Sequence, residues 1–224
     1  MEKCPIKKTL IIITHPRSGS TLLMGILNTI KGACIRGEND NLLLGLFRNY
    51  KKIIATQSEF DGTGSYAQNM PWFGFDKIET EIYARGLISN FTKNILKPPS
   101  EAFIIGFKEV RYFESFFKSQ DELIDYIHFM NNFFINCHII FLTRDSEVSS
   151  KSSFNQLNKN AESEIRLFHN NIEAIRERLV IKSLYLQYEN INAELKFVPE
   201  IEKFLDVNFD KNKVKAIFNI KHSY

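Results

Sequence analysis

The segment from Lys8 to Leu27, KTLIIITHPRSGSTLLMGIL, constrains the fold more than any other part of the chain. Leu10 to Ile13 are apolar and mostly β-branched, which predicts a buried parallel strand. A short polar turn follows this run, and the apolar spacing after Ser20 is that of a helix. The segment therefore predicts one strand–turn–helix unit of an α/β protein.

The turn between this strand and this helix has the residues of an anion site. The first N–H groups of a helix lack partners and carry partial positive charge, so they attract phosphate or sulfate oxygens. Gly19 permits a close backbone approach, and Arg17 supplies a guanidinium that can grip an anion with two hydrogen bonds. The hydroxyls of Ser18, Ser20 and Thr21 add donors. Because the nucleotide-binding pattern G-x-x-x-x-G-K-[ST] is missing, an ordinary strand-to-helix turn stays open as an alternative.

Residues 16–23, PRSGSTLL, resemble the 5′-phosphosulfate loop of the sulfotransferases. These enzymes move a sulfuryl group from 3′-phosphoadenosine-5′-phosphosulfate (PAPS) to a hydroxyl or amine. The resemblance implies that residues 17–21 bind the phosphosulfate end of PAPS. Cytosolic members usually carry lysine at the position of Arg17, so the loop is more similar to the carbohydrate, tyrosylprotein and bacterial branches.

A second polar segment follows the apolar run from His138 to Leu142. A helix beginning near Asp145 or Ser146, either of which can act as its N-cap, places Ser152 two turns along it. An arginine at the strand end, Arg144, can then converge with the Ser152 hydroxyl on one phosphate. The pair resembles the family's site for the 3′-phosphate of PAPS. A capped helix with a solvated serine-rich face is the alternative.

Two further residues resemble catalytic groups of the same family. Glu38, in RGEND, resembles the general base that takes the proton of the acceptor hydroxyl. Lys108 ends the apolar run from Phe103 to Phe107 and resembles the lysine that stabilises the transferring sulfuryl group. The nearest histidine, His15, lies inside the loop segment, so the base is assigned to Glu38. From the residues alone, a surface carboxylate remains open for Glu38.

Four other residues have less specific assignments. Glu109 and Arg111 either contact the acceptor or form an internal ion pair. Tyr188, in SLYLQYENI, resembles the tyrosine that closes the nucleotide pocket and is expected to pack near the adenine. Asp210 is a predicted cap for one of two short C-terminal helices.

No motif is recognised between about Arg48 and Pro99, and the resemblance implies that this insert shapes the acceptor site. The insert contains Tyr66, Trp72 and Phe73. These rings either form a platform for a sugar ring or anchor a loop to the core, and a lid over the acceptor is a third possibility.

Composition favours one soluble enzyme domain over residues 1–224. A net charge of +3 is too small to argue for nucleic acid or a membrane surface as a partner. No apolar run approaches the roughly 20 residues of a membrane span, and no signal-peptide pattern is present at the N-terminus. Because Golgi members of the family carry an N-terminal anchor, these features predict either a cytoplasmic bacterial enzyme or a trimmed sequence.

The cysteines and histidines show no metal-ligand spacing, which predicts reduced thiols and no metal site. Cys4, Cys34 and Cys137 are odd in number and scattered along the chain. Nothing in the sequence indicates an oligomeric state.

Strand and helix patterns alternate along the chain, which predicts a P-loop-type three-layer α/β/α fold with a central, mostly parallel sheet. Ligands of such sheets bind outside the carboxyl ends of the strands, where Arg17, Lys108 and Arg144 are expected to meet. The predicted strands are Thr9–Thr14, Phe103–Lys108, His138–Thr143 and Ser183–Gln187, and the predicted helices are Ser20–Lys31, Asn41–Ile54, Ile78–Leu96, Gln120–Phe134, Glu147–Asn158 and Ala161–Arg178.

The sequence thus predicts a PAPS-dependent sulfotransferase that acts on a hydroxyl acceptor, a carbohydrate or related metabolite. Glu38 is the expected base, and Arg17 and Lys108 are expected to stabilise charge. A kinase-like P-loop phosphotransferase is one alternative, although it would need magnesium and a loop lysine. A nucleotide-binding module without catalysis is the other.

Overall fold

The structure is a computed structural model that describes residues 5–151 and 160–220. Ser152, one of the predicted ligands of the 3′-phosphate, lies outside these described residues. The chain divides into two units. The larger unit is formed by Met1–Asp40 and Pro98–Tyr224, and the smaller unit is Asn41–Lys97.

The larger unit is built on a five-stranded sheet in which all neighbouring strands are parallel. The strand order is β2-β3-β1-β4-β5. The apolar strand β1 is therefore in the middle, which explains its nearly complete burial. The strands are β1 (Lys8–Ile13), β2 (Ala33–Arg36), β3 (Ile104–Glu109), β4 (Cys137–Thr143) and β5 (Ser183–Gln187).

Helices cover both faces of the sheet, as the α/β pattern predicts. Leu10 and Ile12 face a core shared with α1, α7 and α8. On the opposite face, Phe107 meets Phe134 at the end of α4, with ring centroids 6.3 Å apart. The helices are α1 (Ser20–Leu27), α2 (Leu42–Phe60), α3 (Thr80–Asn90), α4 (Gln120–Phe133), α5 (Ser146–Ser150), α6 (Ala161–Arg176), α7 (Val198–Leu205) and α8 (Lys211–Phe218).

The four predicted strands are confirmed, but β2 was not predicted, since only Ile35 among its four residues is buried. Helix α1 ends four residues earlier than expected. The reason is Asn28, whose side chain accepts a hydrogen bond from the Ile35 N–H at 2.8 Å and donates to the Ile35 carbonyl at 2.9 Å. This pair turns the chain from α1 into β2.

Other helix limits also differ from the prediction. Helix α2 continues to Phe60, and the predicted helix Ile78–Leu96 is α3 followed by a π-helical turn over Phe91–Leu96. The predicted helix Glu147–Asn158 begins as α5, and its second half lies outside the described residues. None of the helices in the described ranges has the length and apolar composition needed to cross a bilayer.

In the smaller unit, Tyr66 and Trp72 anchor the loop that follows α2. The Tyr66 hydroxyl donates to the Gln57 carbonyl near the end of α2 at 2.8 Å. Trp72 stacks on Phe60 with ring centroids 4.9 Å apart. Phe73 is the exception, because 62% of its surface is exposed.

Candidate active site

The β1–α1 loop has an unusual backbone. Arg17 has a φ of 65° and Gly19 a φ of 83°, so two residues of this short turn are in the left-handed region. Successive N–H groups in such a turn form a concavity suited to an anion. Helix α1 begins at Ser20, and its N-cap residue is Gly19, which has no side chain that could cap the helix. The N-cap position therefore supplies no side-chain oxygen to the first N–H groups of α1.

A buried hydroxyl pair braces this loop from inside. The Thr14 hydroxyl donates to the Leu142 carbonyl of β4, and it lies 2.7 Å from the hydroxyl oxygen of Ser18. Both Thr14 and Ser18 are fully buried. The Ser18 hydroxyl, predicted as a phosphate donor, thus ties the loop to the ends of β1 and β4.

Arg144 and Tyr188 complete the region around the loop. One guanidinium nitrogen of Arg144, Nη1, donates to the Arg17 carbonyl at 3.0 Å. The guanidinium carbon lies 4.3 Å from the centroid of the Tyr188 ring. The same ring packs on Gly19, so closely that a Cβ at Gly19 would lie 2.1 Å from its edge carbons. Three segments far apart in sequence therefore meet here.

The loop, Arg144 and Tyr188 line a cleft, and a buried lysine and a carboxylate line the same cleft. Lys108 is only 7% exposed, and its ammonium donates to Glu38 Oε1 at 2.5 Å. Arg111 approaches the other oxygen of Glu38 at 3.5 Å and the exposed carboxylate of Asp40 at 3.4 Å. Two predicted catalytic residues are thus in direct contact.

Buried Glu109 binds Arg111 and so supports the contact between Arg111 and Glu38. Its carboxylate is 1% exposed, and it accepts hydrogen bonds from the Val110 N–H at 2.8 Å and from Arg111 at 3.0 Å. The Asn39 N–H donates to its second oxygen at 3.3 Å. The internal ion pair that the sequence left open for Glu109 and Arg111 is present. A buried carboxylate needs such donors, because an unpaired charge there is costly.

Most of the predicted site residues line one cleft of about 460 Å³, but Ser18 does not, and Ser152 lies outside the described residues. The expectation that Arg17, Lys108 and Arg144 would meet at one rim is confirmed. The lining residues are Pro16, Arg17, Gly19, Ser20, Thr21, Leu22, Glu38, Lys108, Val110, Arg144, Tyr188, Phe218 and Ile220. Phe218 and Ile220 come from the C-terminal end of the described chain and were missed, because apolar residues there resemble ordinary core positions. In the described part of the chain, no group of His, Cys, Asp and Glu side chains could hold a metal ion.

His15 lies behind the loop and does not line the cleft. Burial lowers the pKa of His15 from 6.5 to about 4, so the ring is neutral at neutral pH. Its Nδ1–H donates to the Pro16 carbonyl at 2.9 Å, which is the tautomer that this contact requires. The ring packs against Phe168 and His169 of α6, at centroid distances of 5.6 and 5.1 Å. His15 is therefore part of the support of the loop.

Residues 9–212 match the model of the Sulfotransferase family. The chain belongs to the sulfotransferase family. The match spans both strand-end segments, Glu38, Lys108 and Tyr188, so the family suggested by the β1–α1 loop is confirmed.

The solved structure of another sulfotransferase domain agrees on the fold. The sulfotransferase domain of the olefin synthase from Synechococcus PCC 7002 gives a TM-score of 0.56 at 17% identity, over 97% of this chain and 79% of that chain. Thymidylate kinase from Candida albicans gives a TM-score of 0.46 at 14% identity, over 91% of this chain and 96% of that chain, which is too weak to carry an argument. The comparison with curated proteins gives no match.

Proposed function

We propose that this sulfotransferase transfers the sulfuryl group of PAPS to a hydroxyl acceptor, a carbohydrate or a related metabolite. One observation carries the proposal: the uncapped start of α1 and the guanidinium of Arg144 line the same cleft. PAPS carries anionic groups on both sides of its ribose, at the 3′ and 5′ positions. A cleft with two separate anion-binding elements suits a ligand of that chemistry.

The donor is proposed to bind along the loop. The N–H groups at the start of α1, the hydroxyls of Ser20 and Thr21 and the Arg17 guanidinium hold the 5′-phosphosulfate. Arg144 holds the 3′-phosphate, and the assignment of Ser152 to the same phosphate rests on the resemblance alone. Magnesium has no role in this proposal, because the arginines and the helix start supply the positive charge.

Glu38 is proposed as the general base. As the acceptor oxygen bonds to sulfur, its proton passes to a carboxylate oxygen of Glu38. The bond between sulfur and the 5′-phosphate oxygen breaks, and its electron pair stays on the phosphate. Such base catalysis contributes roughly 10²–10⁴-fold in rate.

Lys108 and Arg17 are proposed to stabilise the charge that grows during transfer. Fixed cations in a partly buried cleft act most strongly on charge that develops in the transition state. Because Lys108 donates to Glu38 at 2.5 Å, the base and the cation face the same small volume of the cleft. An acceptor oxygen placed there meets both groups.

The assignment of a carbohydrate acceptor has its own basis in the sequence. It rests on the Arg17 form of the loop and on the motif GFKEVRY, which are similar to the carbohydrate and tyrosylprotein branches. The assignment of the acceptor role to residues 48–99 rests on the same resemblance.

Calorimetry with adenosine 3′,5′-bisphosphate, without magnesium, tests the donor site. We expect tight binding by the native protein and a loss of about 100-fold for Arg144→Ala, since hydrogen bonds between charged groups are strong. Arg176→Ala is the matched control, because Arg176 also lies over a tyrosine ring, at 4.4 Å, but does not line the cleft. No binding of the bisphosphate, or a preference for ATP with magnesium, would favour the kinase-like alternative.

A screen of hydroxyl acceptors with ³⁵S-labelled PAPS tests the reaction. Transfer of label to a sugar hydroxyl is the expected result. Tight binding of the bisphosphate without transfer to any acceptor would instead favour a binding module without catalysis.

A further inference from the structure

Tyr188 contacts both anion-binding elements of the cleft. One edge of its ring occupies the space above Gly19, where any side chain would collide with it. Its face lies 4.3 Å from the guanidinium carbon of Arg144. One ring therefore contacts both the β1–α1 loop and Arg144.

Two hydrogen bonds hold the partners of this ring in place. Arg144 donates to the Arg17 carbonyl of the loop at 3.0 Å. Glu189, next to Tyr188, accepts a hydrogen bond from the Asp145 N–H, next to Arg144, at 3.0 Å. One hydrogen bond thus joins the segment after β4 to the loop after β1, and the other joins it to the segment after β5. Tyr188 contacts residues of both other segments.

Arg144 forms no ion pair with a carboxylate in the described ranges. Its contacts there are one carbonyl and one aromatic face, which orient the guanidinium without neutralising its charge. A free arginine side chain would lose much rotamer freedom on binding an anion. An arginine that is already oriented loses less, so it binds a phosphate more tightly.

We infer that Tyr188 is a positioning residue that orients Arg144 against the β1–α1 loop and so gives the cleft its preference for nucleotides phosphorylated at both the 3′ and 5′ positions. The inference rests on the proposed function, because it assigns the 3′-phosphate to Arg144. It differs from a contact with the adenine, which would help every adenine nucleotide equally. The number of phosphates on the ligand therefore separates the two roles.

The test compares two ligands that differ by one phosphate, adenosine 3′,5′-bisphosphate and adenosine 5′-monophosphate. Their affinities are measured by calorimetry for the native protein, Tyr188→Leu, Arg144→Ala and the double variant. We expect Tyr188→Leu to lower the affinity for the bisphosphate about tenfold and the affinity for the monophosphate less than about twofold. In the Arg144→Ala background, Tyr188→Leu should cause no further loss for the bisphosphate.

Two variants separate positioning from general damage. Tyr188→Phe keeps the ring face, so it should restore the affinity that Tyr188→Leu loses. Tyr185→Leu removes a ring of β5 that lies under another arginine, Arg176, outside the cleft. It should lower the melting temperature, because Tyr185 also stacks on Phe141 at 4.7 Å, and leave both affinities unchanged.

The outcomes are distinct. An equal loss for both ligands that persists without Arg144 would overturn the inference in favour of an adenine contact. Unchanged affinities in Tyr188→Leu, with tight bisphosphate binding by the native protein, would overturn the inference and leave the proposed function standing. A native protein that does not bind the bisphosphate would overturn both.

Discussion

The two ends of the cleft hold their cations in different ways. At one end, here called the loop end, Arg144 is oriented by the Arg17 carbonyl and the ring of Tyr188, both uncharged. At the other, here called the acidic end, Lys108 and Arg111 both contact the carboxylate of Glu38, and Arg111 also pairs with buried Glu109.

The difference separates binding from proton transfer. A cation held by a carbonyl and a ring keeps its charge for an incoming anion, so the loop end suits a polyanionic ligand. At the acidic end, the cations hold the carboxylate oxygens of Glu38 in place, which suits the removal of a proton. Changes at the loop end should therefore act on nucleotide affinity, and changes at the acidic end on turnover.

The largest effect is expected from Glu38→Gln at the acidic end. The amide cannot accept the acceptor's proton, so turnover should fall by roughly 10²–10⁴-fold. Affinity for adenosine 3′,5′-bisphosphate should change less than about threefold, since the loop end is intact. Turnover with an acceptor from the labelled screen and calorimetry provide the two readouts.

Asp40→Asn is the matched control for Glu38→Gln. Its carboxylate also pairs with Arg111, at 3.4 Å, but it is exposed and does not line the cleft. Turnover should stay close to that of the native protein. Near-normal turnover in Glu38→Gln would remove Glu38 as the base.

Gly19→Ala should break the loop end alone. A methyl group at a φ of 83° is strained, and it would push the Tyr188 ring away from the loop. We expect bisphosphate affinity to drop about 100-fold, with the strain alone accounting for about 1 kcal/mol of stability. Calorimetry and urea denaturation measure the two effects.

Gly86→Ala provides the comparison for Gly19→Ala. Apart from the backbone of its own helix, no described atom lies within 4 Å of a Cβ placed at Gly86 in α3, so alanine should stabilise the helix by up to about 1 kcal/mol. Affinity should not change. A Gly19→Ala protein that binds the bisphosphate normally would contradict the packing described for the loop end.

Glu109→Gln should weaken the support of the acidic end. Losing the charge-assisted hydrogen bond from Arg111 in a buried position should cost about 2 kcal/mol of unfolding free energy. Turnover should fall because Arg111 also approaches Glu38, whereas bisphosphate affinity should hold. Glu162→Gln, in an exposed pair with Arg166, should cost less than about 0.5 kcal/mol. An equal loss of unfolding free energy in both variants would show that the buried pair of Glu109 and Arg111 stabilises the fold no more than an exposed pair.

The smallest effect is a pH dependence that originates behind the loop end. The pKa of His15 is lowered to about 4 in the folded protein from 6.5, so the unfolded chain binds more protons between these values. Stability from His15 is therefore fully present above pH 6.5 and is lost as the pH falls towards 4. The loss between pH 7 and pH 5.5 should be about 1 kcal/mol.

Urea denaturation at both pH values, for the native protein and for His15→Gln, isolates this contribution. The pKa values of His169 and His138 are also lowered by burial, so a part of the slope with the same sign should remain in the variant. Equal slopes in the two proteins would show that His15 does not contribute.

Local patterns account for the parts that the sequence predicted. The apolar run of β1 fixes a central strand, and Asp145 caps α5 as expected by accepting from the Val148 N–H at 2.9 Å. Asp210 likewise caps α8. Each of these features depends on residues within one or two turns of each other.

The remaining features depend on contacts between distant residues, which no local pattern encodes. The ring of Tyr188 packs on Gly19, and Arg111 pairs with Glu38, only because parallel strands bring their ends together. The inward turn of the Ser18 hydroxyl follows from the backbone at Arg17 and Gly19, which the sequence alone does not specify. The sequence therefore predicted which residues line most of the cleft, but it did not predict which distant side chains contact each other there.

The central position of β1 has a consequence during synthesis. β1 leaves the ribosome before its two neighbours, which pair with it from Ile104 and Cys137 onward. At about 5–20 residues per second, both edges of the run Leu10 to Ile13 stay unpaired for on the order of 10 s. An unpaired apolar strand is prone to pair with other chains. The nascent protein should therefore depend on chaperones until β4 is complete.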